Sequence, residues 1–359
     1  MANLVDALAT FAGKRVLITG DTGFKGSWLS LWLHQHGATV YGYALPPDGP
    51  DSHFSLLKLE TLIEHEDGDI RDMEHLHTYF EDVQPQFVFH LAAQALVRRS
   101  YREPKETFDT NIGGSINVLE CVRLTSSVQS LVYITSDKCY RNREIDVGYT
   151  EEDELGGHDP YSASKAGAEM AFAAYNESFF KNRPNFGAAS ARAGNVIGGG
   201  DWSEDRIIPD CIRALKSNEP IVLRHPDATR PWQHVLEPLS GYITLADRLI
   251  RDPDMASGSW NFGPPESAVH SVEDLARECI KVWGSGKVSV EPDSDQLHEA
   301  TLLKLNCAKA REHLQWSPRW DFARTIEETV SWYRAVIDGD SVSDIGSAQL
   351  RKYEATTNG

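Results

Sequence analysis

Short continuous apolar runs alternate with longer amphipathic stretches through the first half of the chain. Val16, Leu17, Ile18 and Thr19 form a run that stops at Gly20, short and β-branched enough for a strand buried on both faces. Apolar residues then recur at helical spacing through Trp28, Leu29, Leu31, Trp32 and Leu33 as far as Gly37, a residue suited to end a helix. The next strand is predicted at 38–43, with others at 87–91, 130–134 and 186–190. Helices are predicted around 111–124 and 162–179. Strand and helix in regular alternation call for an α/β fold, a doubly wound parallel sheet of Rossmann type.

The texture changes after about Arg192. Glycines crowd 194–202, and prolines recur at Pro209, Pro220, Pro226, Pro231, Pro264 and Pro265. Shorter elements and longer loops follow, as in a smaller mixed α/β substrate-binding lobe. The predicted division gives 1–191 to a dinucleotide-binding domain, to which the chain returns at about 232–264. Residues 192–231 and 265–359 make the lobe. The polar stretch from about Asp338 is expected to be partly disordered.

Composition narrows the partners. A chain of 359 residues can bury a large core. Its formal net charge of −18 repels phosphate backbones and argues against nucleic acid, though not against a small anion in its own pocket. No apolar run approaches the roughly 18–20 residues that span a bilayer. Residues 1–13 lack the basic start and apolar core of a secretory signal, so a cytoplasmic location with no membrane partner is expected. Five scattered cysteines without a C-x-x-C pair fit reduced thiols and suggest no structural zinc. The histidines show no metal-ligand spacing, and His34/His36 and His75/His77 read as surface residues; no metal is expected.

The segment from Gly20 to Gly26 is G-x-x-G-x-x-G between a predicted strand and a predicted helix. Such glycines permit a tight turn and close approach of backbone to a pyrophosphate, which makes Gly20, Thr22, Gly23, Phe24, Lys25 and Gly26 cofactor-binding candidates. This spacing resembles the extended short-chain dehydrogenase/reductase family. By that resemblance Asp69 and Ile70 contact adenine, and Leu91, Ala92, Ala93 and Gln94 line the far side of the cofactor. A dinucleotide fold usually has Asp or Glu about 20 residues on for the ribose. Here no carboxylate precedes Asp48 and no Arg or Lys stands ready for a 2′-phosphate, so NAD is favoured by elimination.

Tyr161 and Lys165 form Y-x-x-x-K at the start of a predicted helix, one turn apart on one face. A lysine ammonium beside a phenol is expected to lower the tyrosine pKa toward neutrality, so the phenolate can take a proton from an alcohol undergoing oxidation. Upstream, Ser136, with Thr135 as understudy, supplies a hydroxyl for the same oxygen. The two ionisable residues that follow, Asp137 and Lys138, are not needed for simple epimerisation.

The Ser136-Asp137-Lys138 stretch resembles the Thr-Asp-Glu motif of nucleotide-sugar 4,6-dehydratases. Lysine in the third slot, the 194–202 segment and His298-Glu299-Ala300 resemble the CDP-glucose branch of that family. The resemblance implies a CDP-glucose substrate and internally recycled NAD. It makes Asp137 the acid for the departing C6 hydroxyl, and Lys138 either the base at C5 or a stabiliser of the enolate. It further implies diphosphate contacts from Asn195, Arg206 and Arg230, sugar-side contacts from Gln94, Asn111 and His298, with Asn111 equally suited to cap or bridge strands, and a homodimer formed through the helices at 111–124 and 162–179. The rival readings are a nucleotide-sugar 4-epimerase, a GDP-mannose-type dehydratase and a dinucleotide-sensing regulator without turnover.

Overall fold

The computed structural model describes residues 4–265, 268–291 and 302–356. Seven strands form one sheet: β1 (Arg15–Thr19), β2 (Thr39–Ala44), β3 (Glu64–Asp67), β4 (Phe87–His90), β5 (Ser130–Ile134), β6 (Gly187–Ala193) and β7 (Gly258–Phe262). Every pairing is parallel and the spatial order is β7-β6-β5-β4-β1-β2-β3. This is the doubly wound sheet that the pattern predicts.

Alternation explains why the strands read as unbroken apolar runs. Val16, Ile18, Phe87, Phe89, Val132 and Ile134 face one core cluster, packed against the Phe24–Gln35 and Leu236–Arg251 helices. Leu17, Val88, Leu131 and Tyr133 face a second, covered by the Ser115–Leu124 and Pro160–Tyr175 helices. Both faces are dry, so most positions along a central strand are apolar.

Two strands have no apolar run to announce them. β3 reads Glu-His-Glu-Asp, and charged side chains suit an edge strand because they discourage further pairing. β7 closes the other edge, its Trp260 and Phe262 buried on β6.

The chain after β6 also builds three two-stranded ribbons, pairing 196–197 with 233–234, 221–223 with 288–290, and 229–230 with 270–271. The Ile207–Lys216, Val272–Trp283 and Phe322–Ile337 helices pack with them. Their apolar residues, among them Cys211, Ile212, Leu275 and Ile326, belong to the same core cluster as the first sheet face.

The chain end departs from its expected disorder. Residues Val342–Ala355 form a helix capped by Ser341. Leu350 and Tyr353 are buried, as is Gln349, whose Nε2 donates to the Glu328 carbonyl at 2.6 Å. Tyr353 Oη donates to Glu237 Oε2 at 2.6 Å, and Trp32 Nε1 donates to Glu354 Oε1 at 2.7 Å. Among the described residues no helix is long and apolar enough to cross a membrane.

Candidate functional site

The loops leaving β1, β4, β5 and β6 converge at the carboxyl edge of the sheet. β1 and β4 lie side by side although two strands separate them in sequence. The order of the sheet reverses there, which opens the crevice where doubly wound folds bind ligands.

The first wall is the glycine turn. Gly20 has φ +79°, and a Cβ on it would lie 2.7 Å from the Ala92 nitrogen. A Cβ on Gly26 would lie 2.0 Å from the Gly20 carbonyl oxygen. Both positions therefore demand glycine. Gly23 is exposed and meets only the Gly20 carbonyl, so its outer face stays open. It precedes the Phe24–Gln35 helix without a side-chain cap, leaving first-turn N–H groups available to a pyrophosphate. Asp21 turns inward instead: its Oδ2 meets His65 Nδ1 at 2.7 Å, over the space left by the missing side chain of Gly42. Thr22 donates to the Leu45 carbonyl at 2.9 Å. The cradle fits a dinucleotide.

Beyond it, Asp69 accepts from Arg71 Nε at 2.9 Å, and Ile70 is buried against Gly114. Leu91, Ala92 and Ala93 continue from the end of β4, with the Leu91 amide bonded to the Thr19 carbonyl. Gln94 uses its side-chain amide on its own loop, Nε2 donating to Thr107 Oγ1 at 2.9 Å and Oε1 accepting from the Leu96 amide at 2.6 Å. Asn111, expected on the sugar side, is completely buried. Its amide accepts from the Gln94 nitrogen and donates to the Gln94 carbonyl and Ser164 Oγ, so it braces the pocket from beneath rather than facing it.

The catalytic candidates meet where β5 ends. Ser136 caps a single helical turn at 137–139, its hydroxyl accepting from the Lys138 amide at 3.2 Å. That hydroxyl donates to Asp137 Oδ1 at 2.9 Å, and Lys138 Nζ lies 3.3 Å from the same oxygen. Asp137 Oδ2 is buried and bonds to nothing among the described residues. A Cβ on Gly194 would lie 2.6 Å from it, so glycine at the end of β6 makes room for this carboxyl.

Tyr161 and Lys165 project from the Pro160–Tyr175 helix, which Asp159 caps and Pro160 begins. Burial pushes the Tyr161 phenol up to about 12, opposed by its interaction with the Ser136 hydroxyl and by the charge of Arg206. Losing solvation costs the phenolate more than these neighbours return, which opposes the lowering expected from Lys165. Burial also pushes Lys165 down to about 8, opposed by Cys139 and Glu169. Lys25 is pushed down to about 7 by burial and by Arg206, Lys165 and Lys138, so its amine belongs to the electrostatics of the catalytic centre as well as to the glycine turn.

On the lobe side, Arg206 pairs with buried Asp201 at 2.8 Å and lies close enough to influence Tyr161. Asn195 accepts from the Gln233 amide through its backbone carbonyl at 3.1 Å and is half-buried. Arg230 lies on the 229–230 ribbon and donates to the Thr229 carbonyl at 2.8 Å. His298 lies outside the described residues. No group of three or more His, Cys, Asp or Glu side chains assembles as a metal site among the described residues.

Sequence reasoning missed Glu169 and Arg192, a buried ion pair behind Thr135. Both had signals: Glu169 follows Lys165 by four and extends its stripe, and Arg192 is a lone charge in an alanine-rich strand.

Comparison with known proteins agrees with this geometry. A family model described as GDP-mannose 4,6 dehydratase matches residues 17–329. A CDP-glucose 4,6-dehydratase of Salmonella typhimurium is 46% identical over 350 residues, covering 96% of this chain and 97% of the relative. The structure of a dTDP-glucose 4,6-dehydratase from Streptomyces venezuelae superposes with a TM-score of 0.76 at 23% identity, over 89% of this chain and 97% of that one. An epimerase from Methanothermobacter thermautotrophicus superposes with a TM-score of 0.79 at 24% identity, over 97% of both chains. A family match over most of the chain and a relative near half identity together place this protein in the GDP-mannose 4,6-dehydratase family.

Proposed function

We propose that this protein converts CDP-D-glucose to CDP-4-keto-6-deoxy-D-glucose by a 4,6-dehydration with internally recycled NAD. One observation carries the reading: an Asp137–Lys138 contact sits beside the Ser136–Tyr161–Lys165 group, so acid–base chemistry for elimination adjoins that for alcohol oxidation. The relative at 46% identity, named for CDP-glucose, supports the choice of nucleotide. Arg206 and Arg230, forked donors suited to phosphate, with Asn195, serve the diphosphate.

NAD, when bound, supplies the two-electron acceptor and donor that joins C4 to C6. Tyr161 takes the C4 hydroxyl proton while Ser136 holds the same oxygen and Lys165 stabilises the phenolate. The ketone so formed acidifies C5. Asp137 gives a proton to the departing C6 hydroxyl and Lys138 removes the C5 proton. A lysine base must be neutral and an aspartic acid must carry a proton. That arrangement is the proton-transferred form of an Asp–Lys ion pair, reached by moving one proton across the 3.3 Å contact. One water leaves and there is no net oxidation. An epimerase needs no such pair.

The working unit is a homodimer. Exposed Phe108, Leu124, Met170 and Phe179 lie on the helices and turns at 104–108, 115–124 and 160–180, and Leu124, Met170 and Phe179 belong to the stretches through which the resemblance places the contact. A cytoplasmic location accords with five free, buried cysteines.

The deciding experiment incubates the purified protein with CDP-, dTDP-, GDP- and UDP-glucose or mannose deuterated at C4. Deuterium at C6 of a CDP-linked 4-keto-6-deoxy product is the expected result. Deuterium retained at C4 of an inverted sugar would replace the reading with an epimerase.

A further inference from the structure

Glu169 continues the helical stripe of Tyr161 and Lys165 by one more turn, facing the sheet. It is completely buried and bonded on both oxygens. Thr135 Oγ1 donates to Oε1 at 2.5 Å; Ser190 Oγ and Arg192 Nη2 donate to Oε2 at 2.9 and 2.6 Å. Arg192 reaches onward, Nη1 to Tyr140 Oη at 2.7 Å and Nη2 to Ser259 Oγ at 3.0 Å, while Tyr140 donates to Asn261 at 2.8 Å. The pair thereby ties the tip of β5, next to Ser136, to β6, β7 and the chain that follows the 137–139 turn.

Two charges this deeply buried contribute little net stability, since desolvation offsets most of their attraction. A pair of apolar side chains would hold the same elements together. What apolar groups would lack is an anion one helical turn from Lys165 and an acceptor that orients Thr135. We propose that Glu169 is a positioning residue of the hydride-transfer site, holding Lys165 as the ammonium and fixing the strand end that carries Ser136, with Arg192 as the counter-ion that allows a carboxylate there.

The groups facing Lys165 are Tyr161 and Glu169 on its own helix, Cys139 on the 137–139 turn, His90 on β4 and Lys25 on the glycine turn. Among them, the Glu169 carboxylate favours its charged form, while burial pushes the Cys139 thiol up and keeps it neutral where Lys165 titrates. Removing the Glu169 charge therefore lets Lys165 lose its proton at a lower pH.

This rests on the reading of Tyr161 and Lys165 as the proton-handling pair. The test compares the pH dependence of kcat/KM for wild type, Glu169→Gln and Glu169→Asp, alongside thermal unfolding. Glu169→Gln is expected to move the alkaline limb about one unit toward acid, a tenfold loss of rate above it, and to lower kcat more than KM changes. Glu169→Asp, which keeps the charge, is expected to restore the limb. If Glu169→Gln fails to fold, the Glu169→Gln/Arg192→Met double variant takes its place, as loss of both charges avoids an unpaired one. An alkaline limb that stays in place while only the melting temperature falls would overturn the proposal. Wild type is assayed first: if it turns over a nucleotide hexose other than CDP-glucose, the function fails while this comparison proceeds on the active substrate.

Discussion

At the scale of single residues, the site is defined by which atoms are already engaged. Asp137 Oδ1 meets both Ser136 and Lys138, while Oδ2 lies buried over Gly194 with no partner among the described residues. A buried polar atom without a partner is costly, so it marks the atom that a substrate hydroxyl would satisfy. Asp137→Asn keeps the shape and removes the acid. It should slow loss of water by about 10²–10⁴-fold while C4 oxidation, read as cofactor reduction in a single turnover, persists. Lys138→Met should likewise spare C4 oxidation and stop solvent exchange at C5. Unimpaired C5 exchange would sink the base assignment. Tyr161, Lys165 and Ser136 were legible because Y-x-x-x-K and a hydroxyl at a strand end are local patterns. The rise of the Tyr161 phenol was not, because burial is set by side chains distant in sequence.

Among the elements, the C-terminal helix is the one whose placement most exceeds its sequence signal. Tyr353 and the Arg319 and Trp320 amides donate to Glu237, a carboxyl buried on the Leu236–Arg251 helix. Burial pushes Glu237 up to about 7, despite these donors. The unfolded chain releases that proton at about 4.3. Between the two values the unfolded state binds fewer protons than the folded one, so this group's share of stability falls as pH rises from about 4.3 to about 7 and is level above. Glu237→Gln should gain stability relative to wild type across that window when melting temperatures are compared. A difference constant from pH 4 to 8 would show that the carboxyl does not titrate there. The same helix explains a miss: amphipathic spacing with few apolar residues resembles a solvated tail until Trp32 and Trp320 are found beneath it.

At the scale of the whole molecule, one core cluster runs from the sheet face into the lobe, so the two halves of the crevice rest on common packing. The opposite side of the sheet carries the helices whose outer faces expose Met170 and Phe179. Met170→Glu places a charge on that face and should shift the protein from dimer toward monomer in light scattering after size-exclusion chromatography, without unfolding it. A monomeric wild type would refute the dimer directly.

The sequence by itself determined the alternation of strand and helix, the glycine turn, the Tyr161/Lys165 pair and the Ser136-Asp137-Lys138 stretch. Each is carried by neighbours within about one helical turn or one strand. β3 escaped because this edge strand buries too little to need an apolar run, and β7 because its buried Trp260 and Phe262 are separated by Asn261 and preceded by a glycine and a serine. Only the tertiary structure decided that Asn111 braces rather than lines the pocket, that Lys25 shares the field of Lys138 and Lys165, and that Glu169 meets Arg192 behind Thr135. Burial and long-range pairing settle such questions, and both depend on which strands the fold lays side by side.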